Sequence, residues 1–270
     1  MSYKAILACD LDGTLIPEGG VISAEDLSLL RKLPSMGILP VIASGRPVSS
    51  VLSIVRNIWE DEELPAISFN GSVVIKSPLG KELFSARLDN KIAKKIVAFS
   101  LDNGLFPQVY DNNLFYVFYE DEKAEKYYRS VDVPYKIISY DDFTWDTPKI
   151  LLHDEPDILK KYFPSLLELA GKEISAFFSK PIYIELVNPE SGKGQALIKL
   201  AAIYGISSSM IWAMGDAEND VDMLLAARYG YAVANASESV KRQVSYITEK
   251  GVGQGALSEV VQHIISVIGQ

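Results

Sequence analysis

The stretch Asp10-Leu11-Asp12-Gly13-Thr14 decides how this chain is read. It follows an apolar run, Ala5-Ile6-Leu7-Ala8-Cys9, whose length and composition predict a buried strand. Two carboxylates one residue apart emerge where that strand ends, and Gly13 permits a sharp turn. Carboxylates held so close repel each other and stay ionised together only beside a cation. The stretch therefore reads as a hard-metal site with one carboxylate left free for chemistry.

Working outward, strand and helix signals alternate. Ser23-Ala24-Glu25-Asp26 resembles a capping box and opens a helix that stops near Pro34 and Gly37. Ile38–Ala43 is a second apolar run ending in Ser44-Gly45-Arg46, and Pro47 suits the first turn of a helix over Val48–Ile58. Ala66–Phe69 is a third strand, ending in Asn70-Gly71. The last third repeats the rhythm. A helix is expected over Gln195–Tyr204, a strand over Ile211–Met214 ending in Gly215-Asp216, a helix from Asp220 to Arg228, and a strand over Tyr231–Ala234 ending in Asn235. Short apolar strands alternating with helices imply a parallel sheet covered on both faces. Such sheets bind ligands beyond the carboxyl ends of their strands. Asp10, Ser44, Asn70, Asp216 and Asn235 all stand at such ends.

Between residues 83 and 185 the pattern changes. Longer, aromatic, alternating strands are expected at Phe106–Tyr110, Leu114–Tyr119, Lys149–His153, Ile174–Phe178 and Tyr183–Val187. Helices are expected at Lys91–Asp102, Glu122–Ser130 and Asp157–Leu169. The fold class is thus α/β: a Rossmann-like, doubly wound parallel-sheet core over residues 1–82 and 186–270, with an α+β domain inserted at 83–185.

Composition narrows the function. The 270 residues are 48% hydrophobic and 23% charged, as in an ordinary globular protein. No uninterrupted apolar stretch reaches the ~18 residues of a membrane helix. Lys4 is followed by a short apolar run that ends at Asp10, which does not read as a signal peptide. A net charge of −9 argues against nucleic acid as a partner. The single cysteine, Cys9, suits a reducing compartment, and a cytoplasmic location is expected. With only His153 and His263, a zinc site is not expected.

Four motifs in order carry a family resemblance: Asp10-Leu11-Asp12-Gly13-Thr14, Ala43-Ser44-Gly45-Arg46-Pro47, Ser191-Gly192-Lys193-Gly194, and Gly215-Asp216-Ala217-Glu218-Asn219-Asp220. Together they resemble the haloacid dehalogenase superfamily, in particular its Cof-like sugar-phosphatase branch with a C2B-type cap inserted between the second and third motifs. The family often has a bulkier residue before the motif-three lysine, where Gly192 stands here. The resemblance implies a Mg²⁺-dependent phosphatase of small phosphorylated metabolites that works through an aspartyl-phosphate.

The chemistry is consistent with that implication. Attack on a phosphate monoester needs a nucleophile, charge neutralisation and a proton for the leaving oxygen. Asp10 continues the rigid strand and is the candidate nucleophile. Asp12, on the turn, can protonate the leaving alkoxide and later deprotonate water. Asp10 and Asp216 can offer side-chain oxygens to Mg²⁺. In the resembled family the main-chain carbonyl at the Asp12 position binds the metal as well. Lys193 brings positive charge just before a helix, whose N–H groups favour anions. Ser44, the Gly45 amide and Asn219 are the further phosphate-binding candidates, with Asp220 and Thr14 in support behind them. Arg46, Asn70 and Glu185 are candidate substrate contacts, and Glu185 is equally readable as a solvated strand residue.

Plainer readings compete. Asp-x-Asp-Gly also occurs in calcium loops, but an EF-hand needs Glu where Val21 stands. Gly192-Lys193-Gly194 is no P-loop, because Val187 occupies the upstream glycine position. A cysteine-phosphatase loop from Cys9 would need arginine where Leu15 stands. Asp216–Asp220 read alone could be helix capping, a role expected of Asp220 in any case. Two alternatives to hydrolysis stay open: a phosphotransferase or phosphomutase using the same intermediate, and a non-catalytic phosphometabolite sensor.

Overall fold

The computed structural model describes residues 3–131 and 133–269. Two compact units divide the chain: one of Met1–Gly45, Val51–Leu83 and Gly192–Gln270, the other of Arg46–Ser50 and Phe84–Ser191. The chain opens with β1 (Ala5–Asp10), α1 (Ala24–Lys32), β2 (Ile38–Ala43), α2 (Val48–Trp59), β3 (Pro65–Ser68), β4 (Val73–Lys76) and β5 (Lys81–Ser85). The inserted stretch follows with α3 (Asn90–Asp102), β6 (Pro107–Tyr110), β7 (Phe115–Val117), α4 (Glu122–Val131), β8 (Tyr135–Ile137), β9 (Lys149–His153), α5 (Pro156–Ala170), β10 (Ser175–Lys180) and β11 (Tyr183–Val187). The chain then returns through α6 (Lys193–Ile203), β12 (Ile211–Gly215), α7 (Val221–Ala226), β13 (Tyr229–Ala232), α8 (Glu238–Lys241), β14 (Tyr246–Ile247) and α9 (Ala256–Ile268).

The first unit is built on an eight-stranded sheet in the order β14-β13-β12-β1-β2-β3-β4-β5. Its pairings from β14 to β3 are parallel, and β3–β4 is antiparallel. Every residue of β1 and β2 is buried, which is why both read as unbroken apolar runs rather than alternating ones. Each Leu, Ile or Val so buried contributes roughly 1.5–3 kcal/mol over its exposed state. β1 lies between β2 and β12. The chain thus winds away from β1 in both directions, and the ends of β1 and β12 flank the switch point where open α/β sheets hold ligands.

Local signals set the helix ends. Ser23 caps α1 as its sequence suggests: its Oγ accepts from the Asp26 amide at 3.0 Å and donates to Asp26 Oδ2 at 2.9 Å. Asp89 caps α3 by accepting from the Lys91 and Ile92 amides. Asp220 does not cap α7 in this way. It instead accepts at Oδ2 from the amides of Asp216 and Ala217, 3.0 Å each, so its carboxylate binds the turn upstream. α7 is shorter than its sequence pattern and ends at Ala226, which lets β13 begin at Tyr229. Beyond Asn235 the sequence reading assigns no element, whereas α8, β14 and the apolar α9 complete this unit.

The second unit holds a six-stranded sheet in the order β10-β11-β9-β6-β7-β8. It is antiparallel except for β7–β8. Ile150, Leu152, Ile184 and Leu186 alternate along β9 and β11 and pack with Ala93, Ile96 and Val97 of α3 and Leu159 and Leu166 of α5. Among the described residues no helix is long and apolar enough to cross a membrane.

Candidate active site

Asp10 closes β1, and its side chain is almost wholly buried. Its Oδ1 accepts from Lys193 Nζ at 2.6 Å. Lys193 is the first residue of α6 and is fully buried, an expensive place for an ammonium unless it is paired. Its second partner is Asp220 Oδ1, also at 2.6 Å. One cation thus lies between two carboxylates from distant parts of the sequence. Burial works to lower the Lys193 pKa, but Asp10 and Asp220 outweigh it and hold the group well above its ordinary value. Burial pushes Asp10 up to about 7. Lys193 opposes that rise, while Asp220 and Asp216 add to it.

Asp216 follows β12, the strand paired directly with β1. Thr14 Oγ1 donates to Asp216 Oδ1 at 2.8 Å, so motif one orients the acid of motif four. Burial raises the Asp216 pKa against that hydrogen bond. The turn after Asp12 needs glycine twice over. Gly13 has φ +93, and a Cβ there would lie 2.3 Å from Asp216 Oδ2. Asn235 then pins the turn, donating from Nδ2 to the Gly13 carbonyl at 2.7 Å while its Oδ1 accepts from the Val252 amide.

Asp10, Asp216 and Asp220 each bring a carboxylate oxygen within 4.8 Å of the other two. An all-oxygen acidic set suits a hard cation such as Mg²⁺. Asp220 is already engaged at both oxygens, by Lys193 and by two amides. Asp10 and Asp216 each give one oxygen to a protein donor, which leaves coordination capacity on that pair. A buried carboxylate whose ionisation is opposed by two neighbouring acids is an environment that a divalent cation relieves. The residues present therefore fit the group. Asp12 is exposed and is not among these three carboxylates.

Ser44 is buried at the end of β2, with its amide donating to the Ile67 carbonyl. Its carbonyl accepts from the Asn70 amide at 3.0 Å. Asn70 lies in a strained turn: Phe69 and Asn70 have φ of +50 and +52, followed by Gly71 at +98. A Cβ at Gly71 would meet the Gly192 carbonyl oxygen at 2.2 Å, so this turn presses against the backbone that leads to Lys193. Asn70 Oδ1 accepts from Asn219 Nδ2 at 3.1 Å. The Asn70 amide group also stands 2.9 Å from where a Cβ of Gly45 would be. Motifs two and four are thereby joined through a residue that neither contains.

Of the candidate residues, Asp10, Thr14, Asp216, Asp220 and Lys193 converge through direct contacts, and Ser44, Gly45, Asn70 and Asn219 form a second connected group. Arg46 and Glu185 belong to the other compact unit. Glu185 is not a solvated strand residue: it is buried, and its Oε2 lies 3.2 Å from Nζ of the buried Lys149. In the sequence Asn235 stands out only as a polar strand end. Its two-sided hold on the Gly13 turn has no local sequence signal, because its partners lie 222 and 17 residues away.

The chain is 28% identical over 277 residues to the 5-amino-6-(5-phospho-D-ribitylamino)uracil phosphatase YwtE of Bacillus subtilis, covering 92% of this chain and 94% of that protein. It is 30% identical to a phosphoglycolate phosphatase of Methanosarcina acetivorans, covering 96% of each. Among solved structures, a haloacid dehalogenase-like hydrolase from Bacteroides thetaiotaomicron matches with a TM-score of 0.88 at 25% identity, over 97% of this chain and 100% of that one. The haloacid dehalogenase-like hydrolase model matches residues 7–258, a span that contains all four motifs, and the chain belongs to that family.

Proposed function

We propose that this protein is a Mg²⁺-dependent phosphatase that removes phosphate from a small phosphorylated metabolite, a sugar phosphate or related monoester, through an aspartyl-phosphate. The observation that carries the reading is the Asp10–Lys193–Asp220 chain of 2.6 Å contacts beside Asp216. It supplies a nucleophile, a fixed positive charge and a cation-binding pair in one place. The relatives named above are phosphatases of a phosphoribityl compound and of phosphoglycolate, which supports a small phosphate monoester as the substrate class.

An anionic carboxylate approaching a phosphate dianion meets repulsion of ~4 kcal/mol per charge pair at ~4 Å and an effective dielectric of 20. Mg²⁺ bound at Asp10 and Asp216 would neutralise charge on the transferring group. In the first step an Asp10 oxygen bonds to phosphorus and the bond to the leaving oxygen breaks. Asp12 gives that oxygen its proton. In the second step Asp12 takes a proton from water, the water oxygen bonds to phosphorus, and the Asp10 carboxylate is released with inorganic phosphate. Lys193, Ser44, the Gly45 amide and Asn219 hold the phosphoryl oxygens meanwhile, so catalysis rests on position and charge. The buried single thiol of Cys9 suits a reducing cytoplasm.

The test is a panel of phosphate monoesters that includes sugar phosphates, phosphoglycolate and the phosphoribitylamino-uracil compound. Phosphate release that requires Mg²⁺ and disappears in Asp10→Asn supports the reading. Full turnover by Asp10→Asn, or release of an isomerised sugar phosphate in place of free phosphate, contradicts it.

A further inference from the structure

Lys193 opens α6, yet the helix has no cap of its own, because Gly192 at the N-cap position carries no side chain. Helix N-termini leave four N–H groups without intrahelical partners, and Ser, Thr, Asp or Asn at the N-cap commonly satisfies one of them. Conformation does not call for glycine here: Gly192 has φ 171, extended backbone open to any residue. Space does. A Cβ at Gly192 would lie 2.5 Å from Asp222 Oδ2. That same oxygen accepts from the Gly194 amide at 2.9 Å, across 28 residues of sequence. At Gly194 a Cβ would meet the Asp222 carbonyl oxygen at 2.4 Å. The start of α6 and the start of α7 therefore touch through two glycines and one aspartate.

Asp222 lies two residues beyond Asp220. The segment that opens α7 thus grips Lys193 from both sides. Asp220 takes its ammonium at 2.6 Å, and Asp222 takes the backbone amide of the residue that follows it. We infer that Asp222 is a positioning residue for Lys193, supplying from α7 the cap that Gly192 cannot give and so fixing where the Lys193 ammonium sits between Asp10 and Asp220. The catalytic part of this inference rests on the phosphatase reading, whereas the capping part does not. Misplacing a catalytic group by ~1 Å can cost about a hundredfold in rate, so a cap that sets the height of α6 has direct leverage on turnover.

The experiment compares the full-length wild type with Asp222→Ala, Asp222→Asn, Gly192→Ser and the double variant Gly192→Ser/Asp222→Ala. Turnover of p-nitrophenyl phosphate is measured with Mg²⁺, and hydrogen exchange is measured at the Gly194 amide. In Asp222→Ala, kcat is expected to fall about tenfold or more with KM moving less than about twofold, and Gly194 exchange to rise about tenfold. Asp222→Asn keeps a capping oxygen and is expected to stay within about threefold of wild type. Gly192→Ser collides with Asp222 and loses activity. Adding Asp222→Ala to it removes the collision and lets the introduced hydroxyl cap α6 from its own N-cap position, so the double variant exceeds both single variants. A double variant no better than Asp222→Ala, or a Gly194 amide unaffected by Asp222→Ala, overturns the inference. Should Gly194 exchange follow this pattern while the wild type hydrolyses no phosphate ester at all, the cap stands and the phosphatase reading fails.

Discussion

Lys193 Nζ donates to Asp10 Oδ1 at 2.6 Å across 183 residues of sequence, and the pair is almost wholly buried with Asp220 on the other side of the ammonium. Removing the ammonium leaves two buried carboxylates without their counter-charge. Lys193→Met is therefore expected to lower stability by about 3–5 kcal/mol and kcat by about a hundredfold to a thousandfold. Lys193→Arg is not expected to restore the rate, because a forked guanidinium does not fit a site shaped for a point charge. Urea unfolding and steady-state kinetics on the two variants check both effects.

Chelation gives a second outcome. Wild-type protein treated with a chelator is expected to lose phosphate release and to regain it when Mg²⁺ is added back. Saturating Mg²⁺ is also expected to raise stability, by about 2.7 kcal/mol at a hundredfold excess over its dissociation constant. Asp216→Asn removes a proposed ligand and is expected to abolish the thermal shift. A shift that survives unchanged in that variant moves the cation elsewhere.

Asn70 combines a left-handed backbone with a hydrogen bond to Asn219, and two substitutions separate these. Asn70→Gly tolerates φ +52 and loses only the side-chain contact. Asn70→Ala loses the contact and strains the backbone as well. The alanine variant is expected to be less stable than the glycine variant by about 1 kcal/mol. Both should lose activity to a similar extent, about threefold to tenfold, in line with one hydrogen bond. Thermal denaturation and kcat/KM measured side by side decide it.

A pH-dependent contribution to stability is expected from the second unit. Burial, followed by the nearby Lys123 ammonium, holds the His153 pKa below its ordinary value, against the pull of Asp154 and Asp121. A histidine that is harder to protonate when folded contributes stability above the unfolded pKa near 6.5 and loses it as pH falls below that value. Wild-type protein should thus weaken more than His153→Phe does as pH falls below about 6.5. Melting curves across that range, in which the two proteins kept a constant difference, would exclude His153 as the source.

Much of this arrangement is legible in the sequence because the polar residues of an α/β core gather where buried strands end. Asp10, Ser44 and Asp216 stand at the ends of unbroken apolar runs, and the parallel sheet brings those ends side by side. The inserted strands Lys149–His153 and Tyr183–Val187 are likewise readable from alternation. Long-range side-chain commitments are not. Alternation says that Glu185 and Lys149 lie on strands, but not that they pair across neighbouring ones. Asp220 looks like a cap for the helix that follows it, yet it serves the amides before it and a lysine 27 residues upstream. The left-handed turn at Phe69 and Asn70 also lacks a clear signal, since Phe rarely adopts positive φ.

The most direct measurement is the stereochemical course at phosphorus, using the thiophosphate analogue of a good substrate, made chiral there with two oxygen isotopes and hydrolysed in water of the third. Two successive in-line displacements, first by Asp10 and then by water, predict that thiophosphate leaves with its configuration retained. Inversion would mean that water attacks the substrate in a single step, and an aspartyl intermediate at residue 10 would have to be abandoned.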